Sequence, residues 1–142
     1  MPRIQLPCMD GSGRSLTLGR PLGLPTVINL WGSWCPPCGR ELPAFVSLQK
    51  TVAGKAVVMG VVTEDSANRS VDAAHELGVQ FPNLYDRHGE LRRRLGISAL
   101  PATLFVAASG ELVKTYVGPV LDEAALREQI DHNLGVRLDR AG

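Results

Sequence analysis

Apolar residues in this chain come in short runs whose period changes from one run to the next. Thr26-Val27-Ile28-Asn29-Leu30-Trp31 is β-branched and apolar with a single polar interruption, and Ala56 to Thr63 reads the same way. Neither run alternates between apolar and polar, which predicts strands covered on both faces, the usual setting of a parallel pair. Between them Leu42, Phe45, Val46 and Gln49 recur at helical spacing, and Gly54 offers a stop. Pro43 predicts a kink there, because it lacks the N–H that would bond one turn back. The three segments make a β-α-β unit. Downstream, Ser66 or Asn68 can cap a helix through Leu77, with Val71, Ala74 and Leu77 on its packed face and Gly78 as a left-handed end. An extended piece at residues 81–85 leads into the turn Asp86-Arg87-His88-Gly89 and a brief helix from Glu90 to Leu95, closed by Gly96.

Residues 102–107 and 112–117 predict two strands joined by the turn Ala108-Ser109-Gly110-Glu111. A last helix, capped by Asp122, carries Leu126, Ile130 and Leu134 on one stripe and ends at Gly135. The order from residue 26 is β-α-β-α-α-β-β-α, preceded by a small hairpin at residues 4–6 and 15–18. This predicts an α/β fold with a mixed central sheet flanked by helices. At 142 residues the chain suits one domain, with 1–25 as a hairpin extension, 26–135 as the core and 136–142 as a tail.

Charge and composition remove several classes of partner. Fifteen Lys+Arg against 14 Asp+Glu leave a net charge of +1, so no global field favours nucleic acid or an anionic membrane. The longest apolar runs, such as Val57 to Val62, fall far short of the roughly 20 residues that a bilayer span needs. The first residues, Met1 to Cys8, show no cationic leader followed by an apolar run. That reads as either a cytoplasmic protein or an exported one whose leader is absent from this chain. Leu6-Pro7-Cys8 also lacks the apolar run expected before a lipid-attachment cysteine. Cys8 reads most simply as a small, partly buried hydrophobe, with a regulatory or intermolecular bridge as the alternative. Arg92-Arg93-Arg94 reads as a solvated helix face rather than a docking patch, and His75, His88 and His132 stand singly with no role assigned.

The chemistry concentrates in Cys35-Pro36-Pro37-Cys38, a spacing that serves either redox exchange or half of a metal site. A zinc site would need two more ligands, and Cys8 and the three histidines are scattered without a second paired motif. Redox exchange is the expected use, with metal binding or an inert disulfide as alternatives. The pair follows a buried strand and precedes a helix, so Cys35 should meet free backbone N–H groups and the positive dipole end, which favour thiolate over thiol. Cys35 is the expected nucleophile, and Cys38, one turn further in, the resolving thiol. Pro36 fits an early helical position where a missing N–H costs nothing, and Pro37 stiffens the loop.

Asn29-Leu30-Trp31-Gly32-Ser33-Trp34-Cys35-Pro36-Pro37-Cys38-Gly39-Arg40-Glu41-Leu42-Pro43 resembles the active-site segment of TlpA/ResA-type thioredoxin-like proteins, and Leu100-Pro101-Ala102-Thr103-Leu104-Phe105-Val106 resembles that family's cis-proline strand. The resemblance implies a thioredoxin fold, a thiol:disulfide oxidoreductase activity without a cofactor, and an exported bacterial domain. It places Pro101 opposite the dithiol as a cis proline, leaving the backbone of Leu100 free to bond an extended substrate segment. It makes Glu41 the acid that takes and returns the proton of Cys38, the alternative being an ordinary first-turn acid favoured by the helix dipole. Asn29 stands where true thioredoxins have a buried Asp, which favours the TlpA/ResA branch. Trp34 is expected in an apolar platform around the reactive sulfur, and Trp31 in the core.

The expected partners are protein thiol and disulfide clients and an upstream dithiol donor, with the chain acting as a monomer. The cytochrome c maturation branch suggests an extracytoplasmic reductant. Direction depends on the Cys35 thiolate: strong stabilisation makes an oxidant of exported proteins, a milder shift a reductant. A thiol peroxidase, which would need a Thr-x-x-Cys site, and a redox-inert peptide-binding module are the readings from other classes.

Overall fold

The computed structural model describes residues 1–138; the last four positions of the expected tail lie outside the described residues. Strands β1 (Ile4–Pro7) and β2 (Ser15–Leu18) pair antiparallel, with Ile4 opposite Leu18 and Leu6 opposite Leu16. The main sheet uses β3 (Thr26–Trp31), β4 (Val57–Thr63), β5 (Asn83–Asp86), β6 (Ala102–Val106) and β7 (Leu112–Val117), in the spatial order β5-β4-β3-β6-β7. β3, β4 and β5 run parallel, while β6 and β7 are antiparallel to their neighbours. The helices are α1 (Pro36–Val52), α2 (Ala67–Glu76), α3 (Glu90–Arg94) and α4 (Glu123–Leu134). This is the mixed α/β architecture that the run pattern predicts.

The missing alternation in β3 and β4 has its cause in two separate apolar layers. On one face Val27, Trp31 and Phe105 of the sheet pack with Leu42, Phe45 and Leu48 of α1 and with Leu126 and Ile130 of α4. On the other, Ile28, Leu30 and Leu104 meet Ile4, Leu6 and Leu18 of the hairpin and Leu91 of α3. The N-terminal hairpin thus covers the sheet face that α1 leaves bare, and a bridge between Cys8 and Leu84 joins it to β5. Every predicted glycine stop has the left-handed backbone expected of it: Gly54, Gly78, Gly96 and Gly135 have φ of 83°, 70°, 66° and 64°. Ser66 and Asp122 cap α2 and α4, their side chains accepting from Arg69 N and Ala125 N.

Three expectations need correction. Val71 does not pack: it is 49% exposed, and α2 turns Ser70, Ala73, Ala74 and Leu77 inward instead. The packed stripe of α1 is Cys38, Glu41, Leu42, Phe45, Leu48 and Val52, so Leu48 takes the place assigned to Gln49; burying the apolar neighbour avoids burying an amide. Arg92 is not part of a solvated face. Its guanidinium pairs with Glu64 at 2.5 Å and donates to the carbonyl of Ile97 at 3.1 Å, leaving Arg93 and Arg94 exposed. Glu64 itself has a left-handed φ of 52° at the end of β4. Pro43 is accommodated within one 17-residue helix.

Candidate active site

The β3–α1 junction builds the site. β3 ends at Trp31 and the loop Gly32-Ser33-Trp34 brings the chain to Cys35, the N-cap of α1, with φ −110° and ψ 99°. The Cys35 sulfur accepts from the backbone N–H of Cys38 at 3.3 Å, and the Cys35 carbonyl accepts from the same N–H at 3.1 Å. Pro36 and Pro37 hold the first two helical positions, where absent N–H groups cost nothing. The cysteines form a disulfide with a Cα–Cα separation of 5.3 Å. Cys35 retains 6% exposure and Cys38 none, so a partner can reach the outer sulfur alone.

Asp65, in the β4–α2 loop, ties down the approach to the dithiol. Its carboxylate accepts from Ser33 N at 2.6 Å, Ser33 Oγ at 2.9 Å and Ser66 N at 2.8 Å, while its carbonyl accepts from Tyr85 Oη at 2.6 Å. Trp34 donates from Nε1 to the Thr63 carbonyl at 3.2 Å, yet its indole is 53% exposed beside the dithiol loop. Trp31, by contrast, is core, with Nε1 donating to Asn83 Oδ1 at 2.9 Å. Sequence reasoning missed Asp65. A usable signal exists, because parallel β3 and β4 bring the loops that follow them to one edge of the sheet.

Glu41 is not a first-turn acid; it lies in the second turn of α1, 1% exposed. Asn29 Nδ2 donates to its Oε1 at 3.0 Å and Leu121 N to its Oε2 at 2.8 Å. Burial pushes its carboxyl above the ordinary carboxylate range, against the opposing pull of the bonds from Leu121 and Asn29 and of the nearby Thr103 hydroxyl. The folded state therefore holds its proton to higher pH than the unfolded chain does. Glu41 should lower stability as pH rises from its unfolded titration range to its folded one, with a constant penalty above. Urea midpoints of wild type and Glu41→Gln, compared between pH 4 and 9, check this: the wild type loses ground to the variant as pH rises, then the gap stops growing.

Leu100–Pro101 is a cis peptide, and the pairing of Leu30 with Ala102 places it at the sheet end where the Cys35 loop begins. Pro101 is buried and Leu100 half-buried. A cavity of about 480 Å³ lies elsewhere: Cys8, Trp31, Val62, His75 and Phe81 are among its lining residues, and neither dithiol cysteine is. Cys8 is a half-buried free thiol there. His75, His88 and His132 are exposed. Among the described residues, no group of three His, Cys, Asp or Glu side chains is placed to hold a metal, and no helix is long and apolar enough to cross a membrane.

A cis-proline strand beside a helix-capping Cys-Pro-Pro-Cys disulfide, on this sheet order, defines a thioredoxin-fold protein with a redox-capable cysteine pair. The chain belongs to the AhpC/TSA family, whose model matches residues 1–115. It is 30% identical over 145 aligned positions to the thiol:disulfide interchange protein DsbE of Pseudomonas fluorescens, covering 99% of this chain and 76% of that one. It is 32% identical over 105 residues to sporulation thiol-disulfide oxidoreductase A of Bacillus subtilis, covering 71% of this chain. That match spans 64% of the Bacillus protein, a little under two thirds of its length. In fold it matches the crystal structure of a putative thiol:disulfide interchange protein DsbE from Chlorobium tepidum, with a TM-score of 0.81, 24% identity and 94% of each chain covered.

A Thr-x-x-Cys peroxidase site does not fit. The position three before Cys35 is Gly32, and a Cβ there would overlap the Trp34 indole.

Proposed function

We propose that this chain exchanges electrons with protein cysteines through the Cys35–Cys38 couple. The carrying observation is the asymmetry of the disulfide: its outer sulfur caps a helix N-terminus at the surface, and its inner sulfur is sealed one turn behind. In the reduced protein the Cys35 thiolate attacks a client disulfide, forming a mixed disulfide and releasing one client thiolate. Cys38 then attacks the Cys35 sulfur, closing the internal disulfide and releasing the second client thiol; two electrons pass to the client. Glu41, on the same helix face as Cys38, takes the proton of Cys38 before that attack and returns it when the cycle reverses.

Trp34, Pro36, Pro37, Leu100 and Pro101 supply the docking rim, on which an extended client segment pairs with the backbone at Leu100. The chemistry is carried by sulfur alone and needs no cofactor. A second protein dithiol restores the reduced state. The finer reading is an extracytoplasmic reductant of the cytochrome c maturation type, supported by the resemblance of the dithiol and cis-proline segments to the TlpA/ResA group.

Insulin reduction coupled to a dithiol donor tests the activity. Wild type should accelerate it, and Cys35→Ser/Cys38→Ser should reduce the rate to the donor background. Client binding that survives the double substitution, with no reductase activity in the wild type, would identify a binding module instead. The potential of the Cys35–Cys38 couple decides direction, on a scale that runs from about −270 to −120 mV across the wider fold.

A further inference from the structure

Among the described residues, three buried side-chain oxygens lack a hydrogen-bond partner: Asn29 Oδ1, Thr63 Oγ1 and Thr103 Oγ1. Two of the three meet at Glu41. Asn29 and Thr103 are register partners on β3 and β6, so their side chains share the sheet face that α1 covers, and both are fully buried. Cross-strand partners place their Cβ atoms about 4.5–5.5 Å apart, within reach of a bond between a threonine hydroxyl and an amide oxygen. The Asn29 amide has spent its Nδ2 on Glu41, leaving Oδ1 open, and the Leu121 N–H fills the other carboxylate oxygen.

Ionised and protonated carboxyls make opposite demands. The ion wants donors only, whereas the acid needs an acceptor for its own O–H. Leu121 N and Asn29 Nδ2 can only donate. A threonine hydroxyl does both, and Thr103 holds it unused in the same buried pocket. Burying either state without its matching partner is costly, so the amphoteric group decides whether a proton can come and go.

We propose that Thr103 is the positioning residue for Glu41: its hydroxyl donates to the carboxylate, and after proton uptake it accepts from the carboxyl O–H and turns its own hydrogen to Asn29 Oδ1. In each state the carboxyl group has the partners it demands, and Asn29 Oδ1 gains its donor in the protonated one, so the proton of Cys38 moves to Glu41 and back with no other group gaining or losing one. The inference rests on the proton-carrying role of Glu41 given above. The other ionisable groups around the pocket stand aside. Arg40 and Asp122 are exposed; Glu123 is held by Ser47 and Arg127; the Tyr116 hydroxyl of β7 donates to the Pro119 carbonyl; and Cys38, the proton's source in the reduced protein, is held in the disulfide when oxidised. No charged side chain contributes to the shift of Glu41.

The test follows the Glu41 carboxyl by carbon NMR in the oxidised protein, its resonance assigned with Glu41→Gln, beside the pH profile of Cys38-limited exchange. Thr103→Val keeps the shape and removes the hydroxyl. It should move the Glu41 midpoint upward, because the ion loses a donor, and cut exchange at neutral pH about tenfold. Thr103→Ser should restore both. If Thr103→Val does not fold, Thr103→Ala carries the same comparison. A midpoint unchanged in the valine variant, or a shift that serine fails to reverse, overturns the proposal. A midpoint that moves as expected in a protein whose wild type exchanges no disulfides keeps the Thr103–Glu41 linkage and removes the redox reading on which its purpose rests.

Discussion

Cys38→Ser should turn the protein into a trap that keeps its client bound through Cys35. The first attack needs the outer sulfur alone, which is the one a partner can reach, and the second needs the inner one, now an oxygen that cannot displace a disulfide. The mixed disulfide should persist on non-reducing gels and vanish on adding dithiothreitol, while wild type shows almost none. Cys35→Ser should form no adduct and lose at least about 10³-fold in exchange rate, the scale expected when a nucleophile is removed. Cys8 offers a control, because it is a half-buried free thiol in a cavity that the dithiol does not line. An adduct that survives Cys35→Ser but disappears with Cys8→Ser would sink the assignment of the nucleophile.

The second large effect is on stability. Phe45 lies on the packed stripe of α1, wholly inaccessible, in the apolar layer that also holds Trp31, Phe105, Leu126 and Ile130. Phe45→Ala should cost about 3–5 kcal/mol, because it deletes buried apolar surface and leaves a cavity that the sheet and α4 can fill only in part. The same helix carries Cys38 and Glu41, so loosened packing should expose the inner sulfur as well. Urea denaturation measures the first consequence, and the rate of alkylation of reduced Cys38 the second. A denaturation midpoint unchanged from wild type would mean that α1 is anchored elsewhere, through the Ser47–Glu123 hydrogen bond to α4 for example.

The strands, helices and their ends were legible because each is written in neighbouring residues. A run such as Thr26 to Trp31 reports burial on two faces, Ser66 and Asp122 announce helix starts, and Gly78 and Gly135 their ends. The dithiol was legible for the same reason: strand, loop, cysteine, two prolines and cysteine occupy one continuous segment. Val71 and Gln49 were misplaced because helical spacing fixes which residues share a stripe but not which way the stripe turns, and that is set by the facing sheet. Arg92 was misread because Glu64, its partner, lies 28 positions away.

The sequence by itself determined an α/β chain with a redox-capable cysteine pair at a helix start, since local periodicity, capping and spacing suffice for that. Only the tertiary structure decided what surrounds the acid behind it. Asn29 reaches Glu41 across 12 positions, the Leu121 amide across 80, and Asp65 braces Ser33 across 32. Hydrogen bonds between such distant positions leave no periodic trace in the chain. They exist because the parallel crossover and the β6 pairing bring these groups together in space. Burial there raises the carboxyl above its ordinary range, a property of the assembled pocket rather than of glutamate at that position in the chain.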